Sequence, residues 1–389
     1  MILANARLIF ADRLARGHVR VVDGKIAAIT DHLPELLASE PVVDLSGQYL
    51  APGFIDLHIH GARYRDAMEA NAEAFATICR HHAQGGTTAL ALTTVTATSA
   101  DILRVLQAAQ QYRAQPDGQG AQLLGIHIEG PYFSREKPGA HRLDLIRHPQ
   151  RVEWERWLAF EGLVTQMTVA PELPGALELM EELSQRGIIA SGGHSDAWDE
   201  DAAAAFSHGM RQATHTFNCM STARRRGPYR VAGLLEFVLG EPEILCELIA
   251  DARHVSPTLM RMLYHAKGPD GIALVTDAAA GAGLEEGETF HLGDIACVVR
   301  CGVSLTADGQ ALASSTAGMI DLIRNMVQLV EVSLVEAVRM ATLNPARALR
   351  LESRKGVLQV GADADLVSFT DRFQVSHTFV GGRDVLSGG

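Results

Sequence analysis

The sequence predicts an α/β protein: a (β/α)8 TIM barrel carrying a small β-sandwich-like domain built from both termini. Three observations lead there. Eight short apolar runs recur between residues 54 and 277, several of them separated by longer amphipathic stretches; parallel strands need crossovers of that kind. Both ends of the chain are β-rich instead, with β-branched residues around tight turns. Histidines and carboxylates recur at the C-terminal ends of the apolar runs, where barrels keep their chemistry.

The first fifty residues supply "ARLIF", "HVRVVDGKIAAI" and "PVVDLSGQYL" around Asp-Gly and Ser-Gly turns. The C-terminus supplies "KGVLQVGADADLVSFT" and "VSHTFVGGRDV". Residues 1–52 together with 353–389 are therefore expected to form the small β domain, and residues 53–352 the barrel. Barrel strands are expected at 54–59, 87–94, 123–129, 163–170, 187–191, 211–216, 245–250 and 272–277. Amphipathic helices are expected at 73–84, 99–114, 175–186 and 255–266. Residues 285–315, rich in Gly and Asp, read as hairpins inserted after the eighth strand. A late helix over 333–343 opens on Ser333 and Glu336, a capping-box pair.

The length of 389 residues fits one barrel of about 250 plus a smaller module. A net charge of −12 disfavours nucleic acid and anionic membranes, which reward excess Lys and Arg. The five cysteines are scattered and form no CxxC pair, which argues against a disulfide framework or a cysteine zinc site and fits a reducing compartment. The start has no signal-peptide core, and no apolar run reaches membrane-spanning length. The expectation is a soluble cytoplasmic protein.

The strand tips carry the chemistry. Strand one ends in Asp56-Leu-His58-Ile-His60, strand three in Glu129-Gly-Pro, strand five in Gly-Gly-His194, strand six in His215, strand seven in Asp251 followed by His254, and strand eight in Thr276-Asp277. His58 and His60 are two apart, so both face one side of a strand, here the barrel lumen. Glu129, His194 and His215 add an oxygen and two nitrogens. Two His and one carboxylate make a catalytic zinc set that leaves room for water. With no thiolate among them, Zn, Fe(II), Co and Mn all remain open. A lone strand-end histidine is ordinarily a hydrogen-bonded core or rim residue, and His81 with His82, mid-helix, reads as a solvated face. Five ionisable groups at the tips of different strands are another matter, because buried charge is costly unless paired or metal-bound.

The stretches "PGFIDLHIHG", "GIHIEGPY", "SGGHSDA", "ATHTFNCM", "VTDA" and "LNPARAL…KGVLQVGADADLV" resemble the amidohydrolase superfamily, and within it the N-acetylglucosamine-6-phosphate deacetylase family, over nearly the whole chain. The resemblance implies a barrel of the metal-dependent amidohydrolase type. It implies removal of the acetyl group from an N-acetyl-hexosamine 6-phosphate, with one or two divalent ions, zinc first among them. It implies Glu129, His194 and His215 as metal ligands, with His58 and His60 matching a pair that leaves room for a second ion. Asp277 matches the catalytic acid and base, and His141 in "KPGAH" a group beside the substrate amide. Asn218 and Cys219 match contacts to the phosphosugar; Arg226 and His254 match residues near the phosphate, one of which can come across a homodimer interface. The loop after "HTFNCMS" departs from the family, which carries His-Arg-Glu-Pro-Gly where this chain has Ala223-Arg-Arg-Arg226-Gly-Pro-Tyr-Arg230, and Cys219 stands for a more usual Ala. Arg pairs well with phosphate oxygens; for three of Arg224, Arg225, Arg226 and Arg230 a solvated basic loop is the plainer reading, and Arg226, whose distance from His215 matches the family position, is the expected exception. An alternative substrate is a different N-acyl amine or an unphosphorylated N-acetyl sugar.

Overall fold

Eight parallel strands pair in chain order: β1 (Phe54–Ile59), β2 (Thr87–Thr93), β3 (Gln122–Glu129), β4 (Val164–Val169), β5 (Ile189–Gly192), β6 (Met210–Ala213), β7 (Leu245–Leu248) and β8 (Ile272–Leu274). The computed structural model describes residues 1–37 and 40–387; the other four positions, which fall in the ranges expected for the terminal domain, lie outside the described residues. β1 and β2 are buried along their whole length, as parallel strands covered on both faces must be. Helices return the chain between strands, among them α1 (Ala72–Gln84) and α2 (Ser99–Ala114). Asn71 caps α1 by accepting the Ala74 N–H at 2.9 Å, and Thr98 caps α2 by accepting that of Asp101 at 3.2 Å.

Among the described residues, β8 and β1 share no regular ladder. A side chain closes the gap. The fully buried Asp56 carboxylate accepts the Thr276 hydroxyl at 2.6 Å and the Thr276 N–H at 3.3 Å. Burial pushes its pKa up to about 7. Above it, Asp277 N–H donates to the His58 carbonyl (2.9 Å) and His60 N–H to the Ala278 carbonyl (2.7 Å). The seam therefore knits at the end that carries His58, His60 and Asp277.

His81 and His82 do not form a solvated face. His82 is 3% exposed and its Nε2 meets the Gly61 carbonyl at 3.2 Å. It falls on the stripe of Phe75, Ile78, Cys79 and Ala83 that α1 buries, the i, i+3, i+4 spacing of an inward helix face.

After β8, four antiparallel strands (Thr289–Leu292, Ile295–Arg300, Val303–Thr306, Leu312–Ser315) form a separate sheet over the barrel mouth. Ser333 and Glu336 make the reciprocal cap of the helix Leu334–Met340. Both chain ends meet in one eight-stranded sheet, where Leu366–Phe369 runs antiparallel to Tyr49–Pro52. That sheet has a core of its own, including Leu3, Leu8, Val19, Ile26, Leu50, Leu366 and Phe379.

Candidate metal centre and active site

β1 ends by placing His58 and His60 on the lumen side, with their Nε2 atoms 3.3 Å apart. β3 delivers Glu129 between them and the histidines of the far wall. Glu129 Oε2 lies 3.5 Å from His58 Nε2 and 3.2 Å from His60 Nε2. Its other oxygen, Oε1, lies 3.3 Å from His194 Nε2 and 3.1 Å from His215 Nε2, and those two nitrogens are 3.0 Å apart. Asp277 Oδ1 completes the near wall at 3.2 Å from His60 and 3.4 Å from His58. Tetrahedral ligands about 2.0–2.1 Å from a zinc ion stand roughly 3.3–3.4 Å from one another. The His58, His60 and Glu129 triangle (3.2–3.5 Å) brackets that size and the His194, His215 and Glu129 triangle (3.0–3.3 Å) is slightly tighter, with Glu129 shared between them.

The imidazole tautomers are set from behind. His60 Nδ1 faces the Thr93 carbonyl (3.2 Å), His194 Nδ1 the Lys137 carbonyl (2.9 Å), and His58 Nδ1 the Glu247 carboxylate (3.1 Å). These partners only accept, so each Nδ1 carries a hydrogen, and in the neutral ring each Nε2 turns a lone pair into the site. His141 is held the opposite way. Its Nδ1 accepts the Thr96 N–H at 3.1 Å, so its Nε2 carries the hydrogen. That Nε2 is 3.5 Å from Glu129, and it offers a donor rather than a ligand.

Without an ion the same groups pair with one another. Burial alone would raise the Glu129 carboxyl, but the surrounding imidazoles, His58 foremost, hold it well below its ordinary range. Burial likewise opposes ionisation of Asp277, and His58 and His60 bring it down to about 2. Burial opposes charge on His60 too, yet Asp277 and Glu129 lift it to about 9. This cavity is lined by no Lys or Arg among the described residues, so without an ion the positive charge beside the two carboxylates comes from the imidazoles, and a divalent cation would take that part and leave each Nε2 its lone pair. The donor set, its spacing and its lone pairs fit a divalent cation.

Three of these groups stand on left-handed backbone: His194 (φ 47°), His215 (φ 30°) and Asp277 (φ 48°). Such conformations cost of order 1–3 kcal/mol each and persist where surrounding bonds over-determine them. Here the Ser134 N–H holds the His194 carbonyl (2.8 Å) and the Ser315 N–H that of Asp277 (3.0 Å). Gly130, at φ 81°, turns the chain directly after Glu129; a Cβ there would lie 2.5 Å from Thr96 Oγ1.

The mouth is a cavity of about 250 Å³, lined by the Glu129, His194, His215 and Asp277 cluster and by His141, Asn218, Cys219 and His254. Asn218 Nδ2 donates to the His215 carbonyl (3.2 Å), and Asp251 accepts from His254 Nδ1 (2.7 Å). Burial works against charge on His254, and the Asp251 bond outweighs it, so its pKa is raised. Leu292 and Ala311–Ala313 of the inserted sheet roof the cavity. Arg226 is not brought to this cavity. It lies in an exposed hairpin, Arg224–Arg226 paired with Tyr229–Val231, where it bonds Glu200 (2.5 Å) and lies over Trp198 (4.0 Å).

Sequence reading missed Glu247, Gln166, Gln212 and His127, all buried inside the barrel. The signal was present: a polar residue in the middle of "LCELIA", "VTQMTV" and "MRQA", where a doubly covered parallel strand is ordinarily apolar.

A barrel whose C-terminal mouth gathers imidazole lone pairs around a shared carboxylate, with an aspartate beyond them, defines a metal-centre hydrolase. The chain belongs to the amidohydrolase family, whose profile matches residues 49–385. It is 36% identical over 362 residues to an N-acetylglucosamine-6-phosphate deacetylase of Lysinibacillus sphaericus, covering 93% of this chain and 91% of that one. It is 33% identical over 366 residues to an N-acetylgalactosamine-6-phosphate deacetylase of Escherichia coli O157:H7, covering 94% and 93%. Its fold matches a variant N-acetyl-D-glucosamine-6-phosphate deacetylase from Mycobacterium smegmatis, solved in complex with N-acetyl-D-glucosamine-6-phosphate, at a TM-score of 0.90 and 32% identity, covering 99% of both chains.

Proposed function

We propose that this protein hydrolyses the acetamide of an N-acetyl-hexosamine 6-phosphate, N-acetylglucosamine 6-phosphate first among them, giving acetate and the amino sugar phosphate. The observation that carries the reading is the opposed tautomers: His58, His60 and His194 present lone pairs to the site, and His141 presents N–H.

Glu129, His194 and His215 would hold one divalent cation, zinc by preference, and His58, His60 and Asp277 with Glu129 have the spacing for a second. A cation there supplies Lewis acidity toward the amide carbonyl and makes water acidic near neutral pH. Asp277 accepts the proton of the attacking water and returns it to the departing nitrogen. His141 Nε2–H donates to the carbonyl oxygen as charge builds there. One water is consumed, the C–N bond breaks, and the acetyl carbon takes the water oxygen. Asn218 and Cys219 position the sugar at the cavity wall. His254, its pKa raised by the bond to Asp251, faces the phosphate end. Arg226 points to solvent on its own chain, which fits a contribution to the phosphate site of a second copy in a homodimer.

The relatives include gluco and galacto enzymes, so the epimer is settled by kinetics. Acetate release from N-acetylglucosamine 6-phosphate, its galacto epimer and unphosphorylated N-acetylglucosamine is compared. The reading predicts the highest kcat/KM for the gluco phosphate. Preference for the unphosphorylated sugar would favour the alternative, a deacylase of other N-acyl amines. No described helix is long and apolar enough to cross a membrane. We place the protein in the cytoplasm on its free, scattered cysteines.

A further inference from the structure

We propose that Glu247 is a positioning residue that locks both walls of the metal centre from beneath. This rests on the reading of the mouth as a cation site. The side chain is 0% exposed and rises from β7 into the lumen. One oxygen, Oε2, accepts from His58 Nδ1 and from the His215 backbone N–H, both at 3.1 Å. The other, Oε1, accepts from Gln166 Nε2 (3.1 Å) and Gln212 Nε2 (2.7 Å). Gln212 spends both its N–H bonds on Glu247 and Gln166, and its own Oε1 is left without a partner. The barrel interior is thus organised to aim four donors at one carboxylate.

Two consequences follow. The bond to His58 fixes the tautomer whose Nε2 lone pair faces Glu129 and Asp277. The bond to the His215 N–H fixes the left-handed backbone that turns His215 toward His194. The same carboxylate therefore couples the His58–His60 wall to the His194–His215 wall, although it touches neither substrate nor cation. An amide cannot replace it. Gln at 247 offers one accepting oxygen to four donors, so its NH2 must face either His58 and His215 or the two glutamines. Outer partners of metal-binding histidines typically govern affinity by 10–100-fold.

The test titrates metal-free full-length protein with Co²⁺ and follows visible absorption, with circular dichroism as the check of fold. Glu247→Gln is expected to bind Co²⁺ about 10–100-fold more weakly, with an altered visible spectrum. Its kcat is expected to fall while KM moves much less. Glu247→Asp, which keeps the charge, is expected to recover part of the affinity. Should Glu247→Gln not fold, Gln212→Leu carries the test: it removes a donor that holds the carboxylate, and a smaller loss of the same kind is expected. A folded Glu247→Gln with wild-type affinity and spectrum would overturn the proposal. Wild-type protein that binds no Co²⁺ would overturn the cation reading, and this proposal with it, and would be recognised before any variant is compared.

Discussion

Replacing Asp277 by Asn separates proton transfer from metal binding. The substitution keeps the side-chain shape, and Asn tolerates the left-handed backbone at φ 48° as Asp does. The hydrogen bonds of its main chain to His58 and Ser315 are unaffected. What goes is the basic oxygen 3.2 Å from His60 and 3.4 Å from His58. A positioned acid–base group contributes typically 10²–10⁴-fold, which at 1.36 kcal/mol per decade is about 3–5 kcal/mol of barrier. Asp277 lies outside the Glu129, His194 and His215 triangle, so the ion held there stays. Initial rates of acetate release give kcat and KM, and mass spectrometry of the same preparation gives metal per chain. The expected result is a kcat down by 10²–10⁴ with at least one ion retained. A kcat within threefold of wild type would remove Asp277 from proton transfer. Loss of all metal alongside activity would make it chiefly a ligand.

His141→Ala should lower kcat by roughly 10²–10³, the usual worth of one oxyanion donor, and leave metal content unchanged; metal loss would mean that its Nε2 is a ligand after all. Arg226→Ala should raise KM for the phosphorylated sugar several-fold and leave that for the plain sugar alone, and equal kinetics on both would take Arg226 out of the phosphate site. His82 gives a pH dependence. Burial lowers its pKa from 6.5 to about 4, so between those values the unfolded chain binds more protons than the folded one. Its contribution is complete above 6.5 and is lost as pH falls through that window, worth at most about 3 kcal/mol. Denaturant midpoints of His82→Gln, which can keep the bond to Gly61, should fall less steeply from pH 6.5 to 4 than those of wild type; parallel curves would refute the argument.

The barrel was legible because eight apolar runs of strand length are a coarse signal that survives errors at each boundary. The His58–His60 spacing also translated directly, since strand parity alone puts both rings on one side. The polar interior did not. Reading β7 as an apolar run passed over Glu247, and nothing local says that Gln166 and Gln212 on other strands would meet it. The tautomers depend on the Thr93 and Lys137 carbonyls and the Thr96 N–H, backbone groups that have no sequence signature. His82 falls on the apolar stripe of α1, a position that the adjacent His81–His82 pair does not reveal by itself. The outward turn of Arg226 is decided by Glu200 and Trp198, contacts that distance along the chain from His215 does not encode.

Anomalous scattering from crystals of the protein loaded with zinc tests the central claim most directly. A peak is expected about 2.0–2.2 Å from Glu129 Oε1, His194 Nε2 and His215 Nε2, with Asp277 beside it. No peak among these three atoms, or one coordinated by other side chains, would contradict the account.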